Sequence, residues 1–149
     1  MMIPNTPARP DRPLSVTLLM FGVLILASLN TARFVLAIDD WSFIWSLKGA
    51  SPVYLAVSGL VWAVAGWVTL WGLWRGARWA ARLTQIFTTA FLVFFWSERV
   101  FVFGQDGIAW PENGLFIFIV SIVLILFVFW STTKAKSKQY FGVIDERTS

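Results

Sequence analysis

The sequence predicts an all-α fold: an integral membrane four-helix bundle with a short interfacial segment between its first two long helices. Two observations point there. The chain of 149 residues is 58% hydrophobic and only 13% charged, against about 25% charged in soluble domains. Its apolar residues gather in four runs, 14–38, 52–74, 80–103 and 113–131. Each is close to the roughly 20 residues that cross about 30 Å of hydrocarbon in a helix. The connections are short, so residues 14–131 read as one transmembrane domain. A disordered basic segment, 1–13, is expected before it and a cytoplasmic basic tail, 132–149, after it.

Charge sets the expected orientation. Nine of the twelve Lys and Arg residues fall in three segments: Arg9 and Arg12; Arg75, Arg78 and Arg82; Lys134, Lys136, Lys138 and Arg147. Lys and Arg accumulate on the cytoplasmic side of membranes. The pattern therefore predicts a multi-pass protein of the cell membrane, of bacterial inner-membrane type, with both termini cytoplasmic. The first apolar run is longer than the roughly 7–15 residues of a secretory signal core and lacks a small-residue cleavage site. It reads as a retained signal-anchor helix, which ends near Arg33-Phe34.

In the first span, Ala27, Asn30, Thr31 and Arg33 fall on one face at helical spacing, and Leu19 and Leu26 are expected to point elsewhere. Residues 39–48 are too short and polar to cross. Trp41, Ile44 and Trp45 share a helical face there, and Asp39 and Asp40 are placed to cap a helix lying in the interface. Ser51-Pro52 opens the second span, as proline prefers the first helical turn. In that span Ser58, Gly59, Trp62, Ala63, Ala65, Gly66, Thr69 and Gly72 are expected to face the bundle. Val57, Leu60, Val61, Val64, Trp67, Val68 and Trp71 are expected to face lipid. Small and polar residues suit a helix contact in lipid, where close approach replaces a hydrophobic drive.

The turn Gly72-Leu73-Trp74-Arg75-Gly76-Ala77-Arg78-Trp79-Ala80 joins basic residues to interfacial tryptophans. These nine residues resemble the inner hairpin of uncharacterised small bacterial four-helix integral membrane proteins. The resemblance implies the architecture and carries no activity. The third span sets Thr84, Gln85, Thr88 and Arg99 on one arc with Glu98 at its edge, and turns Leu83, Ala90, Val93 and Phe94 away. The fourth is apolar all round, with Ser121 its one central polar group. Such a helix faces lipid or offers a surface to another helix.

The chain has no cysteine and no histidine. Thiol nucleophiles, Cys-ligated clusters, His-ligated haem or zinc and Ser-His hydrolases are thereby excluded. No catalytic residue, cofactor or metal is expected. Asp39, Asp40, Asp106 and Glu112 come from two separate loops and read as a solvated acidic rim. The net charge of +4 is explained by topology signals, so no nucleic-acid partner is expected.

What chemistry the sequence holds is a candidate polar intramembrane site of Asn30, Arg33, Gln85, Thr88, Glu98 and Arg99. Charge in hydrocarbon is costly, so it snorkels, pairs or serves a function. All three readings stand: arginines reaching the headgroups, a structural Arg33–Glu98 pair, or a site for a polar ligand or proton. The leading expectation is a non-enzymatic accessory or scaffold subunit of a membrane complex. Its partners would be the bilayer and a second membrane protein, or another copy, on the fourth span. The alternative is a small transporter, channel subunit or lipid-binding protein that uses the outer-leaflet site around Arg33, Glu98 and Arg99.

Overall fold

The computed structural model of the protein describes residues 12–46, 51–101 and 114–142. Among them every regular element is helical: α1 (Leu14–Asp39), α2 (Trp41–Ser46), α3 (Pro52–Arg75), α4 (Ala80–Phe101), α5 (Gly114–Thr133) and α6 (Ala135–Tyr140). The expectations for Arg9, Asp106, Glu112 and Arg147 lie outside the described residues.

Three helices, α1, α3 and α5, are long and apolar enough to cross a membrane. The expected third span, α4, is helical over nearly its whole length but is not one of them. Arg82, Gln85, Ser97, Glu98 and Arg99 lower its mean hydropathy, and it is the most one-sided of the four long helices.

Packing runs in a ring, with α1 and α4 each set against both α3 and α5. The closest seam joins α1 to α3. Along α1 the buried residues Val16, Val23, Asn30 and Ala37 recur every seven positions, and α3 answers with Pro52, Gly59, Gly66 and Leu73. A seven-residue repeat keeps one stripe turned toward its partner when helices wind left-handedly. Glycine makes the approach possible. A Cβ on Gly59 would stand 2.9 Å from the Phe34 amide nitrogen and 3.1 Å from the Asn30 carbonyl oxygen, and one on Gly66 would stand 2.9 Å from the Ala27 Cβ.

The two faces expected of α3 separate as the sequence suggests. All seven of the bulky set are exposed, whereas Ser58, Gly59, Ala63, Gly66, Thr69 and Gly72 are buried and Trp62 and Ala65 half-buried. Trp62 is the centre of an aromatic cluster from α4, with ring centroids 5.9, 5.2 and 5.3 Å from Phe87, Phe91 and Phe94. Phe94 thus turns toward α3, against expectation, and Leu19 is a core residue rather than an outward one. In each case the buried stripe takes in large apolar residues beside the polar ones: at 100° per residue Leu19 falls between Arg33 and Asn30, and Phe94 about 20° from the buried Phe87.

α3 ends at Gly76, whose φ of 66° is the left-handed conformation that glycine takes most readily. The Ala77 amide donates to the Gly72 carbonyl and the Gly76 amide to that of Leu73, and Trp79 folds back over Gly72. The short α2 forms where an interfacial helix is expected, with Trp41 and Trp45 exposed. Its first turn is closed by the backbone of Asp40, whose carbonyl accepts from the Ile44 amide at 2.9 Å. The six-residue α6 is the element the sequence does not suggest. It folds back so that the Tyr140 hydroxyl reaches the Leu73 and Trp74 carbonyls, and Phe141 is buried behind it.

Candidate functional site

Arg33 sits six residues before the end of α1 and Glu98 three before the end of α4. The two helices run in the same direction and face each other across the diagonal of the ring. Adjacency is therefore not what joins the pair. Two long side chains meet in the middle, Arg33 Nη1 donating to Glu98 Oε2 at 3.2 Å and Nη2 to Oε1. This is the two-pronged guanidinium–carboxylate geometry, which adds orientation to charge. Glu98 is 8% exposed and the Arg33 side chain 27%. The Arg33 Nε is buried without a partner among the described residues, so the carboxylate takes up only one edge of the guanidinium. Tyr54, in the first turn of α3, stands close enough for its hydroxyl to interact with Glu98.

Why the chain brings these groups together follows from the seam below them. Gly59 lies against the backbone of Asn30 and Phe34, on the turn of α1 that carries Arg33. The tight α1–α3 contact fixes the base of the arginine, and the Trp62 cluster fixes α4 against α3. On α4 the seven-residue series Thr84, Phe91, Glu98 runs along the packed side.

The remaining members of the candidate site do not join it. Asn30 is buried, but its Nδ2 donates to the Leu26 carbonyl of its own helix at 2.8 Å. Gln85 lies about 20 Å from Glu98 along α4, thirteen residues at a rise of about 1.5 Å. There its Nε2 donates to the Thr132 hydroxyl of α5 at 2.8 Å. Thr88 lines an apolar groove with Phe91, Leu124 and Val128. Arg99 lies over the Phe95 ring, 5.1 Å from its centroid, one turn back on the same helix. The set is thus one ion pair and a series of separate helix contacts. A further contact, Trp96 Nε1 to the Ser121 hydroxyl at 3.4 Å, gives the one central polar group of α5 a partner on α4.

At the other end of the assembly lie residues whose sequence pattern signals only topology. Arg12 donates to the Trp74 carbonyl and to the Tyr140 hydroxyl, each at 3.3 Å. Lys134 stands over Trp130 and Arg75 over Trp71, at 3.2 and 4.3 Å from the ring centroids. The signal for this arrangement is the Tyr140-Phe141-Gly142 triplet, two aromatics and a glycine closing a basic run. Gly142 has a φ of 62°, the left-handed turn that ends α6. Among the described residues no cluster of carboxylates is placed to hold a metal. No family model, curated protein or solved structure matches the chain.

Proposed function

We propose that the protein is a non-enzymatic, multi-pass protein of the cell membrane that acts as an accessory or scaffold subunit, with α1, α3, α4 and α5 all spanning and both termini cytoplasmic. The observation that carries this reading is the two-pronged Arg33–Glu98 pair. It spends Arg33 and Glu98 on each other, while Arg99 lies over Phe95 and Asn30 and Gln85 are taken up by separate contacts. A transport path would need a polar opening leading inward from that pair to Gln85. The groove between them in depth is instead lined by apolar side chains such as Leu26, Phe91 and Val128.

The pair also supports α4 as a span. Its polar side chains meet partners on other helices, Glu98 with Arg33, Trp96 with Ser121 and Gln85 with Thr132. A helix too polar to enter hydrocarbon alone is accommodated when its neighbours satisfy those groups. The basic segments support the orientation, because Arg12, the α3–α4 turn and α6 meet at one end. α5 supports a docking role, since most of its bulky side chains, Phe116, Ile119 and Leu126 among them, are exposed.

Reporter fusions after residues 12, 49, 77, 108 and 140 test the topology and should alternate in, out, in, out, in. An outside-active fusion at 77 or 140 would refute it. The scaffold reading is tested by Glu98→Gln, which should lower thermal stability in detergent well beyond Asp106→Asn. Equal and negligible effects would mean that the arginine snorkels and the pair holds nothing together.

A further inference from the structure

At the end of the assembly that carries Arg12, a cavity of about 590 Å³ opens between the α3–α4 turn, the start of α4, the end of α5 and α6. That size is within the roughly 300–1,000 Å³ of small-molecule sites. Three of its lining residues are cations, Arg78 from the turn, Arg82 from the first turn of α4 and Lys138 from α6. All three are exposed, and none makes an ion pair among the described residues. Among the described residues no carboxylate lines the space; its other walls include Trp79, Thr132 and the buried Phe141.

The cations are held on separate supports. The Schellman turn at Gly76 sets the segment that carries Arg78. Lys138 is carried by α6, which Tyr140 pins to the α3 carbonyls. Gly142 closes the far side, where a Cβ would stand 3.6 Å from the Arg78 Nε. Like charges from three elements have been gathered around one concavity with nothing described to neutralise them. Arginine forks and lysine both suit phosphate oxygens, and the positive end of the α4 dipole adds to the field the side chains already set.

We propose that this cavity binds the phosphate of an anionic phospholipid headgroup, the Trp79 ring and the exposed apolar faces of α4 and α5 leading its acyl chains away. The inference rests on the membrane reading above, which places these basic helix ends at headgroup depth. The lipid is favoured over free phosphate because aromatic and apolar walls continue from the cations, through Trp79, toward the apolar helix surface.

The full chain, purified in detergent, would be titrated with phosphatidylglycerol, phosphatidylcholine and inorganic phosphate, with binding followed by native mass spectrometry and thermal shift. Saturable binding of phosphatidylglycerol, with little response to phosphatidylcholine, is expected. Each cation removed should weaken it about fivefold, the equivalent of about 1 kcal/mol per basic residue at a membrane surface. Arg78→Gln/Arg82→Gln/Lys138→Gln should therefore lose the preference, whereas Lys134→Gln/Lys136→Gln, at the same end but outside the cavity, should keep it. Lys138→Gln alone, an exposed change that leaves the fold intact, should still show its single step.

Equal losses in the triple and the control variants would overturn the site by showing diffuse attraction, and an equal response to inorganic phosphate would overturn the lipid assignment. Asp145 and Glu146 lie three and four positions past Gly142, outside the described residues. If Asp145→Asn/Glu146→Gln destabilised the chain as much as the triple variant, and no lipid preference existed, the occupant would be the chain's own tail and the inference would fall. Resistance to alkaline carbonate extraction reads membrane integration separately. A chain that resists it without preferring phosphatidylglycerol refutes this inference alone.

Discussion

The two ends of the helix assembly treat charge in opposite ways. At one, Arg33 and Glu98 close on each other inside the packed ring, and the carboxylate is almost wholly buried. At the other, Arg78, Arg82 and Lys138 stand exposed around an open concavity without a described counter-charge. The difference teaches where each end's energy comes from. A closed pair exchanges hydration for a partner, so its value shows only when one partner is lost. Open cations keep their hydration and give it up only to something that arrives. The first arrangement fixes helices, and the second is left to recognise a ligand.

The largest expected effect is at the closed end. Glu98→Gln leaves Arg33 partly buried with a neutral amide oxygen in place of the anionic acceptor. Losing one member of a fully buried pair costs about 3–5 kcal/mol. Because the Arg33 side chain is 27% exposed, water offsets part of that, and a loss of about 2–3 kcal/mol is expected. The measure is denaturation in mild detergent. The apolar double variant Arg33→Leu/Glu98→Leu should recover much of the loss, since replacing both partners removes the stranded charge. If the double variant were as unstable as the single, the comparison would break, because the pair would then be acting through packing alone.

Gly59 gives the next effect and sharpens the same end. A Cβ there would collide with the backbone of Phe34 and Asn30, which cannot swing aside as a side chain could. Gly59→Ala should cost about 1–3 kcal/mol as an overpacked contact and should also loosen the ion pair one turn away. Gly22, where an added Cβ would meet nothing within 4 Å, is the matched control. Gly22→Ala should be neutral or stabilising by up to about 1 kcal/mol through helix propensity. Equal effects at the two glycines would mean that the α1–α3 seam is not closely packed.

Much of this is legible in the sequence, and the departures have separate physical causes. The small-residue face of α3 and its bulky opposite face can be read from composition and a helical wheel. Faces drawn around polar residues alone misplace Leu19 and Phe94, although at 100° per residue Leu19 falls between Arg33 and Asn30 and Phe94 lies about 40° from Glu98. In the seven-residue frame Leu19 and Leu26 align with Arg33, and Phe94 with Ala80 and Phe87. Gln85 groups with Glu98 by polarity alone, since thirteen residues set the two about 140° apart around α4 and about 20 Å apart along it. Pairing across a diagonal and the return of α6 depend on tertiary placement, which no local period encodes. The basic run 134–138 reads as a topology signal because that role suffices at sequence level. Only the fold sets one of its lysines beside two arginines from a distant turn.

The smallest effect belongs to the open end and tests whether the two ends are independent. The Tyr140 hydroxyl lies 3.2 Å from the Leu73 carbonyl and 3.1 Å from that of Trp74, and it accepts from Arg12 Nε at 3.3 Å. These are long contacts near solvent, and a typical intramolecular hydrogen bond contributes about 0.5–1.5 kcal/mol. Tyr140→Phe should therefore cost about 0.5–1 kcal/mol, at the lower part of that range. It keeps the ring against Gly76, so the turn itself should survive. Its clearer signature is local: limited trypsin digestion of the detergent-solubilised chain should cut faster at Lys136 and Lys138 as α6 loosens. Arg33 and Tyr140 are separated by most of the length of α1, 26 residues or about 39 Å from end to end. Distant sites that share no partner add within about 0.3–0.5 kcal/mol. The double variant Glu98→Gln/Tyr140→Phe should accordingly lose the sum of the two single losses, with trypsin sensitivity no greater than in Tyr140→Phe alone. A larger combined loss would show that strain passes along α1 and α3 from the buried pair to the open cavity. The closed end would then help to set the geometry of the cations at the other.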